Sequence, residues 1–293
     1  MFKLFGTKSP APKPDSIPEA APLPSKHPEA TALAAQFGSE EFDILAVTGA
    51  NSFGGEREPD AEYRTVTLPL TARREEDGPI HQEDTCLVAL TDDTLLDYLR
   101  RRAPRDSIIQ VRVRKGLEDD RFLLVGLPTP MMDPELKAIL DEQKKEVSQW
   151  VEGLGTFVLN RSVNWFQADG EWLGQDIQLI YDNGPEEEQK AAQATALSMV
   201  SDARKWDERL RVFSADSLLD QMNAWARDEA QEGEEPEELT REDFMDRMEP
   251  ESLQVWGDGR FEFWFHDRDY QWEHSLRLVG TLADGPSQVH MEG

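Results

Sequence analysis

Five side chains near the C-terminus make the strongest case for chemistry: His266, Asp267, Asp269, Glu273 and His274 fall within one stretch, WFHDRDYQWEHS. Imidazoles and carboxylates on two adjoining strands can meet, and such groups hold metal ions or move protons. Their spacing matches no metal signature, and turns use Asp for conformational reasons. They are therefore expected first as hydrogen-bonded structural groups, with His266, Asp269 and His274 the catalytic candidates. No metal site and no cofactor is expected.

Other chemistries find less support. No serine sits in a nucleophile elbow, and no Cys/His pairing suggests a thiol enzyme. The single cysteine, Cys86, lies in the apolar run TCLVAL, where it reads as a small buried hydrophobe. Gly54-Gly55 and Gly153-Leu-Gly155 lack a phosphate-binding context. Arg100, Arg101, Arg105, Arg112 and Arg114, with Arg102, Lys115 and Arg121, form a basic concentration that could receive a phosphate or an acidic segment, the chain's own included. No stacking aromatics alternate with them, so a solvated face is expected and a nucleic-acid platform is not.

The elements that must carry these groups are set by an aromatic run, Ser252 to Leu282. Gly257-Asp258-Gly259 suits a three-residue hairpin loop whose last residue takes positive φ. That register places Leu253 and Val255 on one face with Phe261, Phe263 and Phe265, and leaves Gln254, Trp256, Glu262, Trp264 and His266 on the other. A turn over Asp267 to Gln271 leads into a third strand, Trp272 to Leu282. One face is core. The other, with Trp256, Glu262, Trp264, His266 and Trp272, is aromatic enough that a helix or a partner must cover it, and whether it is core, pocket or interface stays open.

With 293 residues, two domains are expected. All eight tryptophans lie beyond residue 149, and residues 1–149 carry 19 basic and 27 acidic groups (−8) against 12 and 32 (−20) for 150–293. The net charge of −28 disfavours nucleic acid and anionic membrane as partners and suits a basic protein. No run approaches the ~20 apolar residues of a membrane span, and MFKLFGTK is too short for a signal peptide, so a cytoplasmic location is expected.

Seven prolines between Pro10 and Pro28 mark a disordered tail over 1–40. An N-terminal α+β domain follows over 41–130, with strands at Phe42–Thr48, Tyr63–Leu70, Cys86–Leu90, Ser107–Arg114 and Arg121–Leu127 and a helix at Asp92–Arg102. Asp133-Pro134 opens a helix to about Ser148, read as a connector over 131–150. The C-terminal α+β domain, 151–293, begins with strands flanking an Asp169-Gly170 hairpin. A helix from Pro185 and another from about Ser214 follow, then a mobile acidic loop over Gln231–Glu238 and a capping box at Thr240–Asp243. Strands, then helices, then strands give α+β: two domains, each a mostly antiparallel sheet packed with helices, behind a Pro-rich tail.

The segments FVLNRSVNWF (157–166), EWLGQDIQL (171–179), MNAWARDE (222–229), LTREDFMDRM (239–248) and FEFWFHDRDYQWEHSLRLVG (261–280) resemble a bacterial domain-of-unknown-function family, number 2262. The region before them resembles a companion domain that often precedes it. The resemblance implies bacterial origin and an α+β domain, and carries over no catalytic residue. The function expected is therefore a non-catalytic interaction protein, of inhibitor or immunity type, offering an acidic surface to a basic partner. The alternative is a small-molecule-binding domain or metal-dependent hydrolase using the His266/His274 corner.

Overall fold

The computed structural model describes residues 27–56, 61–76, 78–229, 238–267 and 275–292. The chain divides into two compact units, Met1–Lys145 and Glu146–Gly293. Among the described residues, no helix is long and apolar enough to cross a membrane.

The first unit runs α1 (Pro28–Ala34), β1 (Phe42–Thr48), β2 (Arg64–Glu75), β3 (Thr85–Thr91), α2 (Asp93–Arg102), β4 (Ile108–Lys115), β5 (Phe122–Leu124), β6 (Thr129–Pro130) and α3 (Pro134–Gln143). The strands pair in the order β1-β2-β3-β5-β4, and β4 returns to β1 antiparallel, so five strands close into a barrel. Only β3–β5 is parallel within that ring. This strand order, with a helix between β3 and β4, is that of an OB-type barrel. Alternation fills the interior: Ile44, Val66, Leu68, Leu87, Ile109, Val111 and Phe122 are buried together. Leu95, Leu96 and Leu99 of α2 join that core, and Asp92 caps the helix by accepting from the Leu95 N–H at 2.7 Å.

Two expectations change here. Residues 28–37 of the anticipated tail are folded: Pro28 starts α1 instead of breaking it, and Leu33 and Phe37, four apart, bury against Val88 and Leu90. Residues 1–26 of that tail lie outside the described residues. The expected connector over 131–150 also divides. Its helical part, α3, packs on the barrel, with Leu136 buried among Val47, Ala72 and Ile108. Arg74 pairs with the buried Asp133, the α3 cap, and with Glu135 at 2.7 Å, which fixes the helix to β2.

The second unit runs β7 (Ser148–Val151), β8 (Gly155–Asn160), β9 (Trp165–Trp172), β10 (Gln175–Asp182), α4 (Glu186–Ser201), α5 (Ala203–Glu229), α6 (Arg241–Arg247), β11 (Met248–Val255), β12 (Arg260–Asp267), β13 (Ser275–Thr281) and β14 (Gly285–Glu292). Eight strands form one sheet in the order β14-β13-β12-β11-β10-β9-β8-β7. Every pairing is antiparallel except β10–β11, where the three helices intervene. Phe261, Phe263 and Phe265 are fully buried against helices bearing Ala196, Met199, Trp206, Leu210 and Phe244. Leu253 pairs with Phe263 and Val255 with Phe261, and Gly259 has φ 85°, so the hairpin forms in the anticipated register.

The Asp169-Gly170 hairpin does not form. Both residues sit inside β9, opposite Gln178 and Ile177 of β10. The turn is Leu173-Gly174, both at positive φ. Gly170 serves packing instead: a Cβ there would lie 2.8 Å from a Leu179 methyl. The acidic loop over Gln231–Glu238 lies outside the described residues except Glu238. The capping box is present, with Thr240 and Asp243 each accepting from the other's backbone N–H.

Candidate interaction face

Among the described residues, all three helices pack on the inner face of the eight-stranded sheet and none packs on the outer one. Parity along each strand decides what lies there. In β9, Phe166, Ala168 and Trp172 point in, so Trp165, Gln167, Asp169 and Glu171 point out. In β10, Asp176, Gln178, Ile180 and Asp182 point out; in β12, Glu262, Trp264 and His266 do. Register joins them into rows: Gln167 opposes Ile180, Ile180 opposes Gln254, Gln254 opposes Glu262, and Glu262 opposes Val279.

Trp165, Trp256 and Trp264 on this face are half-buried. Trp256 donates its indole N–H to Asp182 at 2.8 Å, and the Arg260 guanidinium lies 5.1 Å from its ring centre. Arg277 stands 5.9 Å from the Trp264 ring while pairing with Glu262 at 3.3 Å and Glu292 at 2.9 Å. The hydrogen bond to Glu292, first among several carboxylate interactions, raises the Arg277 pKa further above its ordinary value. Trp165 donates to Gln167 at 3.2 Å. Trp150, on edge strand β7, is 74% exposed. Asp169, Glu171 and Asp176 are exposed at one end of the face, so its charge balance is acidic. Such a surface can take cationic side chains between carboxylates and indole rings.

Trp256, Glu262, Trp264 and His266 thus share one face, and among the described residues no helix covers Trp264 or His266. His266 faces Glu249 across the β11–β12 pair, with Nε2 to Oε2 at 3.3 Å. Asp269, Trp272, Glu273 and His274 lie outside the described residues, as does the turn that carries them. Among the described residues, no group of three or more His, Cys, Asp or Glu is placed to hold a metal ion. The sequence reading did not select Trp150, Trp165, Asp182 and Arg277. The outward step of Trp165 beside inward Phe166 was the available signal.

The basic concentration is not one surface. Arg112 pairs with Asp43 at 2.8 Å and Arg114 with Glu41 at 2.5 Å, across β4 and the start of β1. The Arg112 hydrogen bond holds the Asp43 carboxyl below its usual pKa. Arg100 sits on α2 and donates to the Phe53 carbonyl at 2.9 Å, while Arg101 and Arg105 are exposed. Burial pushes the thiol pKa of Cys86 up, consistent with a packing role.

Comparison with protein families matches residues 151–291 to "Uncharacterized protein conserved in bacteria (DUF2262)". The C-terminal half carries this domain. Residues 29–143 match a second family, "Domain of unknown function (DUF7021)", which begins at α1 and so includes the folded part of the expected tail. No curated protein and no solved structure matches the chain. The DUF2262 match covers β8 through β14, and with them most of the outer face.

Proposed function

We propose that the DUF2262 unit is a non-catalytic protein-interaction module that docks a basic protein on the outer face of its sheet. The observation that carries the reading is that face itself: tryptophans and an excess of carboxylates on a sheet whose helices all pack on the other side. Antiparallel sheets tolerate a wet face, but wet faces are built from small and charged side chains, not from four tryptophans. The net charge of −20 over 150–293 steers a cationic partner toward the unit, and association should slow as salt rises.

The test is capture from a lysate of the source bacterium by the full-length protein, at low salt. A basic protein is expected to be retained by the wild type and lost with Trp264→Ala or with Asp182→Lys plus Glu262→Lys. Retention should survive Glu186→Lys plus Glu187→Lys, which makes the same change of charge at the exposed start of α4. Equal loss with both lysine variants and none with Trp264→Ala would reduce the effect to net charge and remove the assigned face. A partner retained equally by every variant would do the same.

A further inference from the structure

We propose that the barrel of the first unit binds a small oxyanion at the end opposite α2, on the guanidinium of Arg73. The backbone geometry is unusual there. The β1–β2 register shifts between Val47 and Thr48, so that Val47 opposes Ala72 and Thr48 opposes Leu70, and Thr71 is the extra residue. That bulge reverses the alternation of β2. Leu70 points into the barrel, Ala72 points out against α3, and Arg73 points back in beside Ala46. His81 clamps the site from outside, exchanging both backbone hydrogen bonds with Arg73 at 2.8 Å.

An arginine is thereby placed at the end of an apolar barrel. Arg73 is 9% exposed, its guanidinium carbon lies 4.9 Å from the Phe122 ring centre, and its Nε has no hydrogen-bond partner. Among the described residues, no carboxylate forms an ion pair with it. Nearby acids are engaged elsewhere: Asp119 with Arg121, Asp120 with Lys115, and Glu83 with His81. Glu75, two residues further along the same face, is exposed. A cation removed from water with only a ring face for company is unfavourable unless an anion joins it. A planar fork of donors at the rim of a closed barrel fits a carboxylate or phosphate oxygen pair.

The experiment is calorimetric titration of the full-length protein with inorganic phosphate and, separately, with acetate, at constant ionic strength. Saturable binding of either is expected, weakened at least about tenfold by Arg73→Lys, which keeps the charge but loses the fork, and abolished by Arg73→Met. Scanning calorimetry without added phosphate or acetate supplies a readout independent of binding. Removal of an uncompensated buried charge should leave Arg73→Met melting no lower than wild type. No saturable binding by the wild type, equal binding by Arg73→Met, or a lower melting temperature for Arg73→Met without ligand would each overturn the site.

Discussion

Phe263→Ala is expected to lower the stability of the second unit by about 3–5 kcal/mol, the usual cost of removing a fully buried Phe. The side chain is 0% exposed, opposes Leu253 and Leu278 on its two neighbouring strands, and packs its ring 4.8 Å from that of Trp172 and 4.7 Å from that of Phe265. Its loss removes apolar burial and two aromatic contacts, and the sheet backbone on either side cannot collapse into the gap. At roughly 2–4 °C per kcal/mol, the unfolding midpoint should fall by about 10 °C. Intrinsic fluorescence isolates this transition, because every tryptophan lies at or beyond residue 150. Trp264→Ala, one residue on and facing out, should cost far less. Equal losses from the two substitutions would mean that the inner and outer faces are misassigned.

Asp207→Ala is expected to cost about 2–4 kcal/mol, slightly below the range for breaking a fully buried ion pair. Asp207 of α5 accepts the Trp172 indole N–H at 3.1 Å and the Arg211 Nε at 2.7 Å. Arg211 in turn donates to the carbonyls of Met245 and Met248, the latter at 2.7 Å, and lies 5.3 Å from the Phe265 ring centre. With side chains 13% and 19% exposed, the pair is shielded enough for its loss to strand a guanidinium and an indole N–H together. The network ties α5 to the junction of α6 and β11. Asp207→Asn keeps an acceptor for Trp172 and should lose about half as much in a urea melt followed by fluorescence. A neutral effect of Asp207→Ala would show that the network adds nothing to the packing around it.

What the sequence made legible was what local chemistry encodes. The β11–β12 register followed from one turn and the alternation of Leu253, Val255, Phe261 and Phe263, because a one-residue slip would move every phenylalanine to the other face. The start of α6 followed from Thr240 as its cap, and that of α2 to within one residue, since Asp92, expected as the first helical residue, is the cap. Asp169-Gly170 misled because the dipeptide that favours a hairpin turn also tolerates a strand when a neighbour, here Leu179, needs the space. The parallel β10–β11 pairing and the β4–β1 closure of the barrel were not legible at all. Both join strands far apart in the chain, and no short segment records such a pairing. Strand β14 was missed because GPSQVHME is polar, as an edge strand can be.

The candidate face was legible in part for the same reason. Trp256, Glu262, Trp264 and His266 come from one hairpin, so alternation alone grouped them. Trp150, Trp165 and Asp182 join only through the order of the whole sheet, which is a property of the fold. The Arg73 site is the extreme case, since a single extra residue at Thr71 decides whether that arginine faces water or the barrel interior.

Hydroxyl-radical footprinting of the full-length protein, free and in complex with the basic protein it captures, tests the docking face most directly. Protection concentrated at Trp150, Trp165, Trp256 and Trp264, with the exposed side chains of α4 and α5 unchanged, is the predicted result. Protection confined to those helices, with the four tryptophans oxidised as fast in the complex as in the free protein, would contradict it.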